Sequence, residues 1–266
     1  MPIGDYYFIN HKKSYIKKLV KLLGTLDLHT HIRLNPLLKI FINYINEASV
    51  QQKSINILEI GCGNGINAFE IVKIAKKYNK KINYIGTDLN CSAINIAEKI
   101  ASNHGLNSYS FYIDDGISFV ERNIDIILFI DVIEHIENTS KLLELSYKCL
   151  KEDGIFIVSV PTRLYSKIFG RDFCKKIGHI IDGYSIEELD ELFRNSIDCI
   201  RMIYEYNTGI FSKIGCYLYY NKLNFNNKYF NFLVHFILYP FKFTDFYNNS
   251  KISCSLFAVY KKMMRI

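Results

Sequence analysis

The chain has 266 residues, and 49% of them are hydrophobic, which is typical of a globular protein and excludes a disordered one. Its 33 basic and 26 acidic side chains give a net charge of +7. This charge permits an anionic partner, but the chain carries no dense basic stripe of the kind found in nucleic-acid-binding proteins, and no run reaches the roughly 18 apolar residues that a membrane-spanning helix needs.

Residues 1–53 are predicted to form an N-terminal helical cap. Ser14 can cap a first helix over residues 14–23, in which apolar side chains and lysines fall on opposite faces. A second, strongly apolar helix is predicted from about Leu34 to Ile45, followed by a polar linker over residues 46–53. The first residues lack the basic-then-apolar order of an export signal, which predicts a cytoplasmic protein.

Residues 54–204 form the predicted core of a single domain that spans residues 1–266. Short apolar runs alternate there with amphipathic segments, which predicts a parallel sheet with helices on both faces. The predicted strands are Ser54–Ile60, Ile82–Thr87, Tyr109–Ile113, Ile124–Ile130, Ile155–Val160, Ile197–Tyr204 and, after an insert, Ser253–Tyr260 within the final segment 253–266. The predicted helices of the core are Ile66–Tyr78, Ser92–Asn103, Thr139–Leu150 and Ile186–Arg194. Residues 162–184 are predicted to be an irregular connection.

Residues 205–252 are rich in Tyr and Phe and too apolar for a free loop. One interpretation is a helical insert that covers the sheet and completes a small-molecule pocket. The alternative is a helix in the surface of the inner membrane that admits a lipophilic acceptor. The two interpretations are compatible, and the first is favoured.

The seven cysteines are scattered, with no two within four residues of each other, which excludes CxxC redox and zinc-binding motifs. No HExxH motif is present, and no aspartates and histidines cluster at metal-ligand spacing. The sequence therefore predicts reduced thiols and no metal site.

The first predicted strand ends in a glycine-rich turn, GxGxG, formed by Gly61, Gly63 and Gly65. Ligands of open parallel sheets bind beyond the carboxyl ends of the strands, and glycines there let a ligand lie against bare backbone. Dinucleotide folds usually carry GxGxxG. Here Glu59 precedes GxGxG by two residues, and an acid suits a cationic ligand better than a pyrophosphate. S-adenosylmethionine, with an ammonium, a sulfonium and no phosphate, is such a ligand.

Carboxylates also follow the next strands. Asp88, at the end of the second strand, can accept both hydroxyls of a ribose, as in NAD enzymes. After the third strand, Asp114 or Asp115 can accept a hydrogen bond from an adenine amino group. The alternative interpretation is that Asp-Asp-Gly only forms a turn. After the apolar fourth strand comes His135, whose position favours function over the more common structural role of an isolated histidine.

Together these motifs resemble the class I S-adenosylmethionine-dependent methyltransferases, especially the branch with the ubiquinone- and menaquinone-pathway enzymes. The resemblance covers residues 55–160 well and 161–204 loosely. It rests on ILEIGCGNG at 57–65, IGTD at 85–88, FYIDD at 111–115, IDIILFIDVIEHI at 124–136 and LKEDGIFIVSVP at 150–161. It implies an α/β, Rossmann-like sheet of seven mostly parallel strands with an antiparallel last strand.

The resemblance also implies the cofactor, S-adenosyl-L-methionine, and the residues around it. Asp115 is the expected adenine contact, with Ile117 packed on the ring. The chain departs from the family at Asp114, where many relatives carry glycine. The expected cofactor-binding residues are Glu59, Gly61, Gly63, Gly65, Asp88, Leu89, Asp115, Gly116 and Asp131.

Three further segments bear on the acceptor. Residues 178–185 resemble a stretch that lies near the acceptor in relatives, so either His179 or Tyr184 contacts the substrate, or the loop only packs against the sheet edge. His135 and His179 are the candidate general bases. Arg33, ahead of the apolar helix, either meets the cofactor carboxylate or is a surface arginine, and the second interpretation is favoured.

The sequence thus predicts an O- or N-methyltransferase for a small or lipid-linked molecule, with no nucleic-acid partner. One alternative is an NAD-dependent oxidoreductase on a similar fold, which the GxGxG spacing and the Glu134-His135 pair disfavour. Another is a non-catalytic, methyltransferase-like partner subunit, which the intact glycine loop and Asp88 disfavour.

Overall fold

The computed structural model describes residues 28–47, 54–103, 105–116, 123–209 and 249–263, and the helical positions 214, 218 and 237. Within these residues the strands are β1 (Ser54–Ile60), β2 (Lys81–Asp88), β3 (Tyr109–Ile113), β4 (Ile124–Ile130), β5 (Leu150–Pro161), β6 (Cys199–Gly209) and β7 (Ser253–Lys262). The helices are α1 (Leu28–Glu47), α2 (Ile66–Lys77), α3 (Cys91–Asn103), α4 (Thr139–Cys149), α5 (Arg163–Phe169), α6 (Arg171–Lys176) and α7 (Ile186–Ser196). A single 3₁₀ turn, Ile133–His135, follows β4.

The seven strands form one sheet in the order β3-β2-β1-β4-β5-β7-β6. Strands β1 to β5 are parallel, and β7 runs antiparallel to both β5 and β6. Every residue of the central strand β4 is buried, and the continuous run of Ile, Leu and Phe from Ile126 to Ile130 is typical of a strand covered on both faces. The strand order reverses between β1 and β4, where open α/β sheets bind their ligands.

Helices cover both faces of the sheet. Successive side chains of a strand point to opposite faces, so neighbouring residues pack against different helices. Ile57 belongs to a core cluster shared with α1, α2 and α3, whereas the next residue, Leu58, belongs to a cluster shared with α4 and α7. The predicted α/β architecture, with its antiparallel last strand, is therefore confirmed.

Several predicted boundaries were wrong. Helix α1 begins at Leu28, so Arg33 lies inside the helix and not before it, because the helical backbone starts before the apolar pattern does. Residues 163–176 form α5 and α6 instead of an irregular connection. The Thr162 hydroxyl caps α5 by accepting a hydrogen bond from the amide of Leu164, and Gly170, with φ 86°, separates the two helices.

Strand β6 continues five residues past Tyr204, because its pairing with β7 extends to Gly209.

The predicted helix at 14–23, the linker at 48–53, the predicted ring contact Ile117 and most of the 205–252 insert lie outside the described residues. None of the described helices is long and apolar enough to cross a membrane.

Candidate active site

The glycine loop after β1 has a left-handed backbone at Gly61, Gly63 and Gly65, with φ of 74°, 53° and 75°. A Cβ atom on Gly61 would lie 2.3 Å from Cγ2 of Val132, so close packing against the segment after β4 requires glycine there. A Cβ atom on Gly63 would meet nothing within 4 Å. The backbone at Gly63 is therefore bare and faces open space, which is the arrangement that a ligand lying on the loop needs.

Asp88 joins the carboxyl ends of three strands. Its Oδ2 accepts a hydrogen bond from the Gly63 amide, and its Oδ1 accepts one from the Asn90 amide, both at 2.8 Å. Its backbone carbonyl accepts a hydrogen bond from the Asp114 amide at 3.2 Å. A carboxylate offers about four lone-pair sites, so Asp88 retains capacity for ligand hydroxyls. The adjacent Leu89 is 73% exposed and offers an apolar surface beside that carboxylate.

Glu59 lies beneath the glycine loop and not on its open face. The side-chain amide of Asn67 donates to its Oε1 at 2.5 Å, and the Tyr84 hydroxyl donates to its Oε2. Burial raises the pKa of Glu59 to about 7, although these two hydrogen bonds oppose the shift. The pKa of the Tyr84 hydroxyl is also raised well above its usual value by burial, so Tyr84 is a neutral donor. Glu59 thus holds the start of α2 to β2 under the loop.

The two acids after β3 have different positions. Asp114 accepts a hydrogen bond from the Gly116 amide at 2.7 Å and so closes the turn. Gly116, with φ 78°, packs against Ile60, whose Cγ2 atom would lie 2.6 Å from an added Cβ. Asp115 is exposed at the surface of the turn. The turn interpretation therefore describes Asp114, and Asp115 stays the candidate for adenine.

A cavity of about 200 Å³ opens beyond the ends of β4 and β5. Its walls are Asp131, Glu134, His135, Pro161, Tyr165, Ile177, His179, Cys254 and Ser255. Asp131 has a left-handed backbone, and its Oδ1 accepts a hydrogen bond from the Ser159 hydroxyl at 2.6 Å. Because Gly61 packs against Val132, the glycine loop and this cavity share the segment after β4.

The fold brings His135 and His179 together in this cavity. Their ring centroids lie 4.8 Å apart in an edge-to-face arrangement, and the Tyr165 ring stacks on His179 at 5.5 Å. The carbonyl of Glu134 accepts hydrogen bonds from the amides of Ile180 and Ile181, at 2.9 and 3.2 Å, and so fixes the His179 loop to the turn that carries His135. The Glu134 side chain is buried, and its Oε1 lies 3.9 Å from Nε2 of His135.

A family model described as a methyltransferase domain matches residues 51–201, more than half of the chain. The chain belongs to this methyltransferase family. The resemblance drawn from the strand-end motifs is thereby confirmed, and S-adenosylmethionine is the cofactor that this resemblance implies.

A ubiquinone biosynthesis O-methyltransferase from Bartonella quintana is 25% identical over 114 residues, which cover 42% of this chain and 44% of the relative. The chain thus spans about half the length of the curated relatives it matches. A solved putative sarcosine dimethylglycine methyltransferase from Galdieria sulphuraria is similar in fold, with a TM-score of 0.60 at 13% identity over 86% of each chain. A coclaurine N-methyltransferase bound to N-methylheliamine and S-adenosylhomocysteine has a TM-score of 0.56 at 16% identity, over 84% of this chain and 71% of its own.

Two other residues singled out from the sequence do not lie among the described cavity residues, Tyr184 and Arg33. Tyr184 is only 6% exposed and packs in the core cluster of α4 and α7, where burial raises its pKa to about 12, so it does not line the cavity. Its amide donates to the carbonyl of Pro161, which places the loop against the end of β5. Arg33 lies in α1, and its side chain is outside the described part of the chain.

Six of the nine residues that line the cavity had no predicted role in the site. Glu134 and Pro161 stand in quoted motifs and so had a signal. Tyr165, Ile177, Cys254 and Ser255 lie on α5, after α6 and on β7, where no local pattern indicates a site.

Proposed function

We propose that this protein transfers a methyl group from S-adenosylmethionine to an oxygen or nitrogen atom of a small or lipid-linked molecule. One observation carries the proposal: the glycine loop packs through Gly61 against Val132, and the histidine-lined cavity is built from the same segment, Asp131 to His135. A cofactor lying on the loop and an acceptor in the cavity would therefore be neighbours.

The residues around the loop fit the cofactor chemically. The bare backbone of Gly63 leaves room for it, Asp88 can accept hydrogen bonds from ribose hydroxyls, and Leu89 and Asp115 would flank the adenine. When bound, S-adenosylmethionine supplies a methyl group that is activated by its sulfonium. Glu59 would support the loop and act on the cofactor only through it.

The chain's main task would be to align the acceptor, since correct positioning alone can contribute roughly 7–11 kcal/mol to such a reaction. Asp131 and Ser255 offer polar atoms on the cavity wall, and Tyr165 and Ile177 offer apolar surface. For a hydroxyl acceptor, a ring nitrogen of His135 or His179 would accept the proton.

The names of similar proteins and the aromatic insert both suit a small or lipid-linked acceptor. The curated relatives are named for ubiquinone biosynthesis, and the solved relative with S-adenosylhomocysteine is named an N-methyltransferase. The aromatic 205–252 insert and its flanking lysines would suit an acceptor delivered from an anionic membrane surface.

Calorimetry with S-adenosylhomocysteine and NAD tests the cofactor proposal directly. The wild-type protein is expected to bind S-adenosylhomocysteine and not NAD. The Asp88→Ala variant should lose at least about tenfold in affinity, because a hydrogen bond to a charged group contributes about 1.5–3 kcal/mol. The Asp182→Asn variant, which loses a partly exposed carboxylate paired with Arg171, serves as the control. Unchanged affinity in Asp88→Ala, or binding of NAD by the wild-type protein, would contradict the proposal.

A further inference from the structure

We propose that Glu134, His135 and His179 bind one divalent transition-metal ion, such as Zn²⁺, in the acceptor cavity. Each side chain offers one ligand atom, a carboxylate oxygen or an imidazole nitrogen, and these atoms all lie within 4.8 Å of one another. The residues come from the turn after β4 and from the loop after α6. The site is therefore a product of the fold, and no sequence spacing indicates it.

The set of donor atoms determines the class of metal. Two imidazoles and one carboxylate form the ligand set of a catalytic zinc site, in which three protein ligands leave a fourth position open. Imidazole nitrogens favour Zn²⁺ and other late transition metals over Mg²⁺ and Ca²⁺, which prefer oxygen ligands. The open position would face the cavity, where Asp131 and Ser255 lie on the wall.

The distances allow binding after modest side-chain rotation. Ligand atoms around a tetrahedral zinc ion lie about 3.3 Å apart, given metal–ligand bonds of about 2.0–2.1 Å. The Oε1 atom of Glu134 and the Nε2 atom of His135 are already 3.9 Å apart, and the His135 side chain, 35% exposed, has room to turn. Glu134 is 1% exposed, and buried carboxylates are usually paired or bound to a metal.

The surroundings hold the ligands in place, as in established metal sites. The Glu134 carbonyl binds the amides of Ile180 and Ile181 and so locks the two ligand segments together. The ring of Tyr165, stacked at 28° on His179, restricts that imidazole on its other side. The backbone contacts fix the two ligand segments, the Tyr165 ring limits the rotation of His179, and the partly exposed His135 side chain is left to close on the ion.

The role of the ion rests on the proposed function, whereas its binding does not. A hydroxyl at the open position would be polarised and would lose its proton to water more readily. In the transfer the acceptor oxygen bonds to the methyl carbon, the carbon–sulfur bond breaks, and its electron pair goes to sulfur. The cation would then activate the acceptor in place of a histidine base, and the two histidines would serve as its ligands.

The test uses the full chain after treatment with EDTA and dialysis. Titration with Zn²⁺ in a calorimeter should give one ion per chain, and Co²⁺ should give the visible absorption bands of a four- or five-coordinate site. His179→Ala and His135→Ala should each lower the Zn²⁺ affinity by at least about tenfold and change the Co²⁺ spectrum. Asp182→Asn, a partly exposed acid on the same loop, is the matched control and should bind like the wild type.

Two results would overturn the metal site: no stoichiometric binding by the wild-type protein, or equal binding by both histidine variants. Thermal melts show that each variant is folded, and exposed His135 is the safer substitution. S-adenosylhomocysteine titrations on the same samples separate the two proposals. Binding of S-adenosylhomocysteine without Zn²⁺ removes only the metal site, and binding of Zn²⁺ without S-adenosylhomocysteine removes only the proposed function.

Discussion

The amide of Gly63 donates a hydrogen bond to Oδ2 of Asp88 at 2.8 Å, which ties the glycine loop to the end of the neighbouring strand. The loop shape and the carboxylate orientation therefore depend on each other. A ligand that binds Asp88 must also lie beside the bare backbone of Gly63.

The glycines of this loop should respond differently to substitution. In Gly63→Ala the new methyl group meets no protein atom within 4 Å, so the cost in unfolding free energy is limited to the left-handed backbone, about 1–2 kcal/mol. The methyl group enters the proposed ligand space, so the affinity for S-adenosylhomocysteine should fall at least about tenfold. Calorimetry and urea denaturation measure the two effects.

Gly61→Ala is the counterpart. Its methyl group would lie 2.3 Å from Cγ2 of Val132, so overpacking of about 1–3 kcal/mol adds to the same backbone strain. Urea denaturation should therefore show a larger loss of stability for Gly61→Ala than for Gly63→Ala. Equal losses would mean that the loop does not pack against Val132 as described.

Glu59 should make the stability of the protein depend on pH. Its pKa is raised from 4.5 to about 7 in the folded protein, so between these values the folded state binds more protons than the unfolded state. The contribution of Glu59 to the free energy of unfolding is therefore greatest below about pH 4.5. It falls as the pH rises to about 7 and does not change above pH 7. The difference, about 1.4 kcal/mol per pKa unit, is on the order of 3 kcal/mol.

Glu59→Gln should remove this dependence. In urea denaturation, the unfolding free energy of the variant minus that of the wild type should increase from pH 5 to pH 7.5. The reason is that only the wild type loses the contribution of Glu59 over this range. Asp182→Asn is the control, because its carboxylate is partly exposed to solvent. Parallel pH profiles for Glu59→Gln and the wild type would show that Glu59 is ionised throughout.

His179 and Tyr184 belong to the same loop but should differ in function. His179→Ala should lower the transfer of labelled methyl from S-adenosylmethionine to a small-molecule extract by about 10²–10⁴-fold, because His179 lines the cavity. Tyr184→Phe should retain most activity, since Tyr184 packs in the core. Both variants should bind S-adenosylhomocysteine like the wild type. Strong loss of activity in Tyr184→Phe with normal cofactor binding would place that hydroxyl at the acceptor.

The membrane proposal predicts flotation with vesicles that contain phosphatidylglycerol and none with phosphatidylcholine vesicles alone. Replacement of Lys213, Lys222, Lys228 and Lys242 by Gln should abolish flotation and leave S-adenosylhomocysteine affinity unchanged, because these lysines flank the aromatic insert. A wild-type protein that stays at the bottom of the gradient with anionic vesicles would remove membrane contact from the proposal.

The order of residues along the chain is sufficient to predict the sheet, the glycine loop and the position of Asp88. These features are local: the alternation of apolar runs defines the strands, and the carboxyl ends of parallel strands must meet at one edge. The motifs at those ends therefore combine into one predicted site on the strength of their positions alone.

Which side chains face that site depends on tertiary packing. Packing placed Glu59 beneath the loop with Tyr84, assigned Asp114 and not Asp115 to the turn, buried Tyr184, and brought His179 to Glu134 and His135 across about 44 positions of sequence. The physical reason is that helix and strand periodicity fixes the direction of a side chain only relative to its own element. The contact of one element with another, here through the amides of Ile180 and Ile181 on the Glu134 carbonyl, decides what that side chain meets.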